Sequence, residues 1–160
     1  MIPDRIVVRL AAAGAVPPLD SLIPVLHGWI RRQALVGATL IDVADYAHVP
    51  GGPGILLVAD EANYAFSERG LEYQRKRPLP GEGAAKIDAA ISAALAAASL
   101  IESETALRLA RSPIRVESND RLLAPNDEVT FSFWKKSLGS RIENRVQADP
   151  RERFSVLLSR

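Results

Sequence analysis

Cysteine is absent from the 160-residue chain, so disulfides, thiolate metal ligands and a cysteine nucleophile are excluded. Histidine is scarce, and the two residues of this type limit the possible catalytic triads. A large charge of one sign is lacking too, because 20 basic and 19 acidic residues leave a net charge of +1. This balance disfavours binding through phosphate neutralisation, and we expect no nucleic-acid partner.

Long uninterrupted apolar runs are also missing. No run approaches the ~20 apolar residues that a bilayer-crossing helix needs. The apolar N-terminal stretch at 1–16 is broken by Asp4, Arg5 and Arg9, unlike the apolar segment of a secretory signal. We therefore expect a cytoplasmic protein with no membrane partner.

The residues that are present predict one globular α+β domain spanning 1–160. Hydrophobic residues make up 48% of the chain and charged residues 24%, both close to the averages of folded domains. Alternating or apolar segments separated by turn residues predict strands. They lie at 5–10, 39–44, 55–59, 63–67, 71–75 and 114–117, with a closing strand through 154–158. The short links between 39 and 75 indicate an antiparallel meander, and the strand at 55–59, apolar on both faces, is expected to be covered on each side.

Helical periodicity appears in two segments. A first helix, capped by Asp20 or Ser21, runs to about Arg32 with Leu22, Leu26 and Trp29 as its buried stripe. A long Ala-rich helix covers 84–111, with Glu104 and Arg108 spaced for an i,i+4 ion pair. The expected architecture is a mainly antiparallel sheet packed against this long helix, with one or two shorter helices. Leu57 and Ile91 are expected to be fully buried.

The segment after Asn126 fits two structures. Asn126 can cap a third helix, with Asp127 and Glu128 favourable in its first turn. Val129, Phe131 and Phe133 also alternate as in a strand, so both alternatives stay open.

The segment 41–54, which reads IDVADYAHVPGGPG, holds the candidate catalytic residues. Asp42, Asp45 and His48 recur every three residues before a flexible loop, and carboxylates beside an imidazole can ligate a metal or act as a general base. Their structural alternatives are backbone hydrogen bonding, turn capping and simple exposure. His27, at the border of the first helix's apolar stripe, is a further candidate.

Cofactor binding lacks a matching motif. The glycines at 51, 52 and 54 are interrupted by Pro53, which has no amide hydrogen, and a strand rather than a helix is expected to follow them. The spacing of Asp42, Asp45 and His48 matches no established metal motif. We therefore expect no metal and no dinucleotide or other cofactor.

Four segments together resemble an uncharacterised family of bacterial proteins. They are HGWIRR at 27–32, IDVADYAHVPGGPG at 41–54, NDRLLAPN at 119–126 and DPRERF at 149–154. The resemblance covers most of the chain and implies a complete bacterial domain rather than a fragment. It implies no activity and assigns no catalytic residue.

These observations favour a non-enzymatic binding or assembly domain that self-associates, with a homodimer as the expected state. The long helix carries alanines at 89, 93 and 97 that would let a second helix approach closely. Alanine is also the best helix former, so the same residues can simply pack within one monomer. The alternative function is a small-molecule hydrolase or lyase that uses Asp42, Asp45 and His48.

Overall fold

Four strands that follow one another along the chain form an antiparallel meander in the computed structural model, which describes residues 1–146 and 149–160. They are β2 (Leu40–Tyr46), β3 (Gly54–Ala59), β4 (Ala62–Ser67) and β5 (Gly70–Arg75), after β1 (Ile6–Ala11). Each strand pairs with the next, as the short links between them predict. The meander expected from the sequence is confirmed.

Strand β1 joins this meander to the C-terminal strands. It pairs with β5 on one side and with β6 (Ile114–Ser118) on the other. Beyond β6 lie β8 (Ser155–Leu158) and then β7 (Ile142–Arg145) at the edge. The order in the described part of the sheet is β2-β3-β4-β5-β1-β6-β8-β7, with every neighbouring pair antiparallel.

In the part of the chain that the structure describes, three helices lie against one face of this sheet. Helix α1 (Leu22–Arg32) packs on β2 and β3, α2 (Ala84–Glu104) packs on β1 and β5, and α3 (Glu128–Leu138) packs beside β7. Two short 3₁₀ turns, Leu19–Ser21 and Gly139–Arg141, precede α1 and β7. The predicted α+β class, with a long Ala-rich helix and shorter ones, is thus present.

The core lies between the helices and the inward face of the sheet. On β1, for example, Ile6, Val8 and Leu10 point inward, because alternate side chains leave opposite faces of a strand. Leu57 and Ile91 are buried, at 0% and 8% exposure, as the sequence indicated. On β3, however, Leu56 and Val58 are only half-buried. The expectation that both faces of this strand would be covered is therefore wrong, because the helices pack on the other face.

Helix α2 ends at Glu104, seven residues before the predicted end at Arg111. Thr105 is extended, at φ −142° and ψ 173°, and the following segment pairs Leu109 with Ala12 after β1. Glu102 holds this segment, because its carboxylate accepts hydrogen bonds from the Leu109 amide and from Arg111. Burial disfavours ionisation of Glu102, but these hydrogen bonds and the charge of Arg111 outweigh it, so its pKa lies below the ordinary value.

The expected ion pair between Glu104 and Arg108 does not form. Arg108 instead donates hydrogen bonds to the carbonyls of Glu102, Thr105 and Leu107. Glu104 reaches α1, where it accepts from Trp29 Nε1 and from Arg32. The pair needs one continuous helix through both residues, and the helix stops between them.

The segment after Asn126 is helical, which decides between the two alternatives. The N-cap is Asp127, not Asn126, and its carboxylate accepts a hydrogen bond from the Thr130 amide at 2.8 Å. Asn126 is buried and bonds Asp149 and Arg145 instead. The expectation that Asn126 caps this helix is therefore wrong by one residue, because the side chain of Asn126 is engaged by Asp149 and Arg145.

Helix α2 also meets the criteria of length and composition for a membrane-crossing helix, with a mean hydropathy of 1.6 over its most apolar window. This departs from the expectation that no run approaches that length. Here the helix packs on the sheet and buries seven residues, namely Ile87, Ala90, Ile91, Ala94, Ala97, Ala98 and Ile101. Core helices of water-soluble proteins meet the same criteria, so the expectation of no membrane partner stays a prediction.

Candidate functional site

The candidate residues Asp42 and Asp45 lie on edge strand β2 and leave opposite faces of the sheet. Val43 packs against the core, so Asp45, two residues further along, lies on the helix side and Asp42 on the other side. Each carboxylate accepts a hydrogen bond from a nearby backbone amide, Asp42 from Val43 and Asp45 from Ala47. Backbone hydrogen bonding of this kind is the structural alternative to catalysis that the sequence indicated for these two residues.

The histidines do not complete a site with these carboxylates. His48 is exposed in the turn after β2, and His27 is exposed on α1. Among the described residues, no three groups of metal-ligating type lie close enough to hold an ion. The structure thus does not bring Asp42, Asp45 and His48 together as a constellation, and the hypothesis of catalysis there remains without geometric support.

Charged side chains instead meet on the face of the sheet opposite the helices. Strand register places Glu72, Arg9 and Arg115 side by side on β5, β1 and β6. Arg9 Nε lies 2.9 Å from Glu72 Oε2. Arg9 Nε nevertheless has no hydrogen-bond acceptor among the described residues. The contact is therefore an ion pair in which the N–H bond does not point at the carboxylate oxygen.

Glu117, two residues from Arg115, is the anionic centre of this face. Its side chain is 4% exposed and lies near three guanidinium groups. The distances from its carboxylate are 3.2 Å to Arg153, 3.4 Å to Arg115 and 3.5 Å to Arg9. A buried carboxylate needs such partners, since burial without them disfavours the charged form.

Beside this network lies a cavity of about 730 Å³, a volume in the range of small-molecule sites. Its floor is formed by Arg9, Glu72 and Arg115. Its remaining walls are mostly apolar or glycine, and include Ala11, Gly51, Gly52, Pro53, Ala65, Gly70, Ala110, Pro113 and Leu157. The cavity therefore combines a charged floor with walls that are mostly apolar.

The loop between β2 and β3 closes one side of the cavity and is tied down by Arg69, from the turn between β4 and β5. Arg69 donates hydrogen bonds to the carbonyls of Gly51 and Gly52, at 3.4 and 3.1 Å. Gly51 and Gly52, which match no cofactor motif in the sequence, thus contribute to a cavity wall. Their carbonyls accept hydrogen bonds from Arg69, and the amide of Gly52 donates to the carbonyl of Val49 within the loop.

A second, smaller cavity of about 510 Å³ lies on the helix side, between α2 and the C-terminal strand β8. Its charged lining consists of Arg160 and the ion pair of Arg141 with Asp88, at 2.7 Å. The larger cavity has more volume and brings three arginines together with one glutamate. We therefore take the larger cavity as the candidate site.

Arg9, Arg69, Glu72, Arg115 and Glu117 were not singled out from the sequence. A usable signal was present, because Arg9 interrupts the apolar strand IVVRLA and Arg115 and Glu117 alternate with apolar residues in IRVES. Such positions mark the outward face of a strand. That β1 lies between β5 and β6, however, depends on pairing between residues far apart in the chain.

Fold and cavity together define an α+β domain with its helices on one sheet face and a small-molecule-sized cavity on the other. Comparisons with protein families, with curated proteins and with solved structures found no match. The function therefore has to be argued from the cavity itself.

Proposed function

We propose that this chain is a non-enzymatic binding domain that holds a small molecule in the cavity on the helix-free face of its sheet. The observation that carries the proposal is a cavity of about 730 Å³, open to solvent on one side, with a mostly apolar wall and a few charged groups. Ligand sites in proteins have this size and this mixture, with few polar groups that fix orientation.

The chemistry of the floor supports binding rather than proton transfer. The guanidinium groups of Arg9 and Arg115 offer several N–H donors in a planar arrangement, which suits an anionic or polar group of a bound ligand. Glu72 is held by Arg9 at 2.9 Å. The alternative function, a hydrolase or lyase using Asp42, Asp45 and His48, has the weaker support because those side chains are dispersed.

Replacement of Ala11 by tryptophan tests the proposal. Ala11 lines the cavity at the end of β1, so an indole there fills the space a ligand would occupy. With 1-N-phenylnaphthylamine, an uncharged fluorescent probe, we expect Ala11→Trp to weaken binding by about tenfold, or ~1.4 kcal/mol. Fluorescence titration measures the effect.

The matched control is Ala96→Trp, at an exposed position of α2 on the other side of the sheet. We expect this variant to bind the probe like the wild type. Equal affinity of both variants, or no binding by the wild type, would contradict the proposal.

The second part of the proposal is self-association through α2. Of the three alanines at 89, 93 and 97, only the first two are accessible to a second helix. Ala97 is fully buried in the core of its own monomer, whereas Ala89 and Ala93 are half-buried at the rim of that core. Small side chains at the rim would let a second helix pack closely. A cytoplasmic location and membership of the bacterial family likewise remain proposals.

Introduction of a charge at Ala93 distinguishes a helix-mediated dimer from packing within one monomer. In a dimer that packs through this face, Ala93→Glu should give a folded monomer, while the exposed control Ala13→Glu stays dimeric. If Ala93 serves only the monomer core, the variant loses its fold instead, which circular dichroism detects. Light scattering that finds the wild type monomeric at high micromolar concentration would exclude self-association.

A further inference from the structure

Two arginines stand directly opposite each other on the cavity floor. Arg9 on β1 and Arg115 on β6 are register partners, and like charges at such positions repel. Arg9 has Glu72 on its other side, but Arg115 has Leu157 there. Arg115 is therefore the less compensated of the two cations.

The carboxylates present satisfy these guanidinium groups only in part, because Arg115 Nη2 donates a hydrogen bond to Glu117 while the Nε atoms lack an acceptor in the described part of the chain. Glu117 lies two residues along β6 from Arg115, on the same face of the sheet. Its carboxylate is 3.4 Å from Arg115 and 3.5 Å from Arg9, and it also forms an ion pair with Arg153. The Nε atoms of Arg9 and Arg115 are buried without a hydrogen-bond acceptor within 1–146 and 149–160. About one third of each arginine side chain stays accessible, at 36% and 35%.

Because the two Nε atoms are buried, a ligand in the cavity would meet the accessible third of each arginine side chain instead. In the next row of the floor, Ala11 follows Arg9 by two residues and Pro113 precedes Arg115 by two. Among the residues that the structure describes, no carboxylate lines the cavity on that side. Arg69 adds a further cation to the wall. An anionic group of a ligand at this position would lie between Arg9 and Arg115 and offset their repulsion.

We infer that the cavity binds an amphipathic monocarboxylate, with its carboxylate on Arg115 and Arg9 and its apolar body toward Pro53, Ala65 and Leu157. This inference rests on the proposed function. A single negative charge fits because Glu72 lines the same cavity and repels a second one. A phosphate monoester carries a charge of about −1.5 to −2 at neutral pH and is disfavoured for that reason.

Isothermal titration calorimetry with three probes of equal chain length tests the charge. The probes are decanoate and decyl phosphate, each below its micellar concentration, and decanol below its solubility. We expect decanoate to bind the wild type about tenfold or more tightly than decanol, as expected for a charge-assisted hydrogen bond, and more tightly than decyl phosphate. Equal binding of decanoate and decanol, or tighter binding of decyl phosphate, overturns the inference.

Arg115→Gln tests the position of the carboxylate. This variant should lose about tenfold or more in affinity for decanoate and keep its affinity for decanol, while Arg115→Lys should recover part of the loss. Arg31→Gln, an exposed change on α1, is the matched control and should change neither. If Arg115→Gln does not fold, the ranking of the three probes on the wild type still decides.

The outcomes also separate this inference from the proposed function. If decanol and decanoate bind equally, and Ala11→Trp blocks both, the cavity is a ligand site but not one for carboxylates. If neither these probes nor 1-N-phenylnaphthylamine bind, the proposed function fails as well.

Discussion

Replacement of Gly70 by alanine should lower the free energy of unfolding by about 3 kcal/mol or more, enough to unfold a marginally stable domain. Gly70 begins β5 at φ +122°, a conformation that side chains with a Cβ rarely adopt. A Cβ atom there would lie 2.1 Å from the carbonyl oxygen of Leu10 and 2.7 Å from the amide nitrogen of Ala12. Both are backbone atoms next to the β1–β5 pairing, so relief of the clash would disturb the sheet.

Gly14→Ala is the matched control for this prediction. Gly14 also has a positive φ, of +104°, but nothing lies within 4 Å of a Cβ built there. This variant should cost only the backbone strain, on the order of 1 kcal/mol. Urea denaturation of both variants measures the difference, and equal midpoints would show that the contact between β5 and β1 is looser than described.

Trp29→Ala should cost about 3–5 kcal/mol, the range for truncation of a large buried aromatic side chain. Trp29 is fully buried, and its ring meets that of Phe66 edge-on with centroids 6.2 Å apart. Its indole Nε1 also donates a hydrogen bond to Glu104 at the end of α2. The substitution therefore removes core packing and the link between α1 and α2 together.

Trp29→Phe separates these two contributions. It retains most of the ring packing but removes the donor to Glu104, which then keeps Arg32 as its partner at 2.5 Å. We expect a smaller loss, of about 1–3 kcal/mol. His27→Ala, at an exposed position of the same helix, should change stability by less than ~0.5 kcal/mol. A loss for Trp29→Ala no larger than that for His27→Ala, in thermal or urea unfolding, would contradict the assigned core.

The residues of the candidate site could not be predicted from local sequence patterns. Asp42, Asp45 and His48 are close in sequence, and their spacing suggested a site. On a strand, however, residues three apart leave opposite faces, so the same spacing separates Asp42 from Asp45. Arg9 and Arg115 lie more than a hundred residues apart in the chain yet face each other across two paired strands. No local pattern could indicate that pairing.

Local patterns did determine much of the secondary structure. The alternation of apolar residues, together with turn residues, predicted the meander from β2 to β5, the helix that buries Leu22, Leu26 and Trp29, and the burial of Leu57. These features depend on neighbours within one strand or helix, and the sequence records such neighbours directly. Short edge strand β7 was missed, because its four residues carry little alternation and lie half-buried or exposed.

Only the tertiary structure decided the end of α2, the partners of Glu102 and Glu104, and the cavity. The residues at 105–111 include several good helix formers, so the sequence predicts that the helix continues. The pairing of Leu109 with Ala12 and the hydrogen bond from Leu109 to Glu102 instead hold this segment extended. The sequence by itself determined which residues are buried within each strand or helix and which consecutive strands pair. The placement of β1 between β5 and β6, and with it the row of Glu72, Arg9 and Arg115, depended on long-range strand pairing, whose free energy is shared among residues distant in the chain.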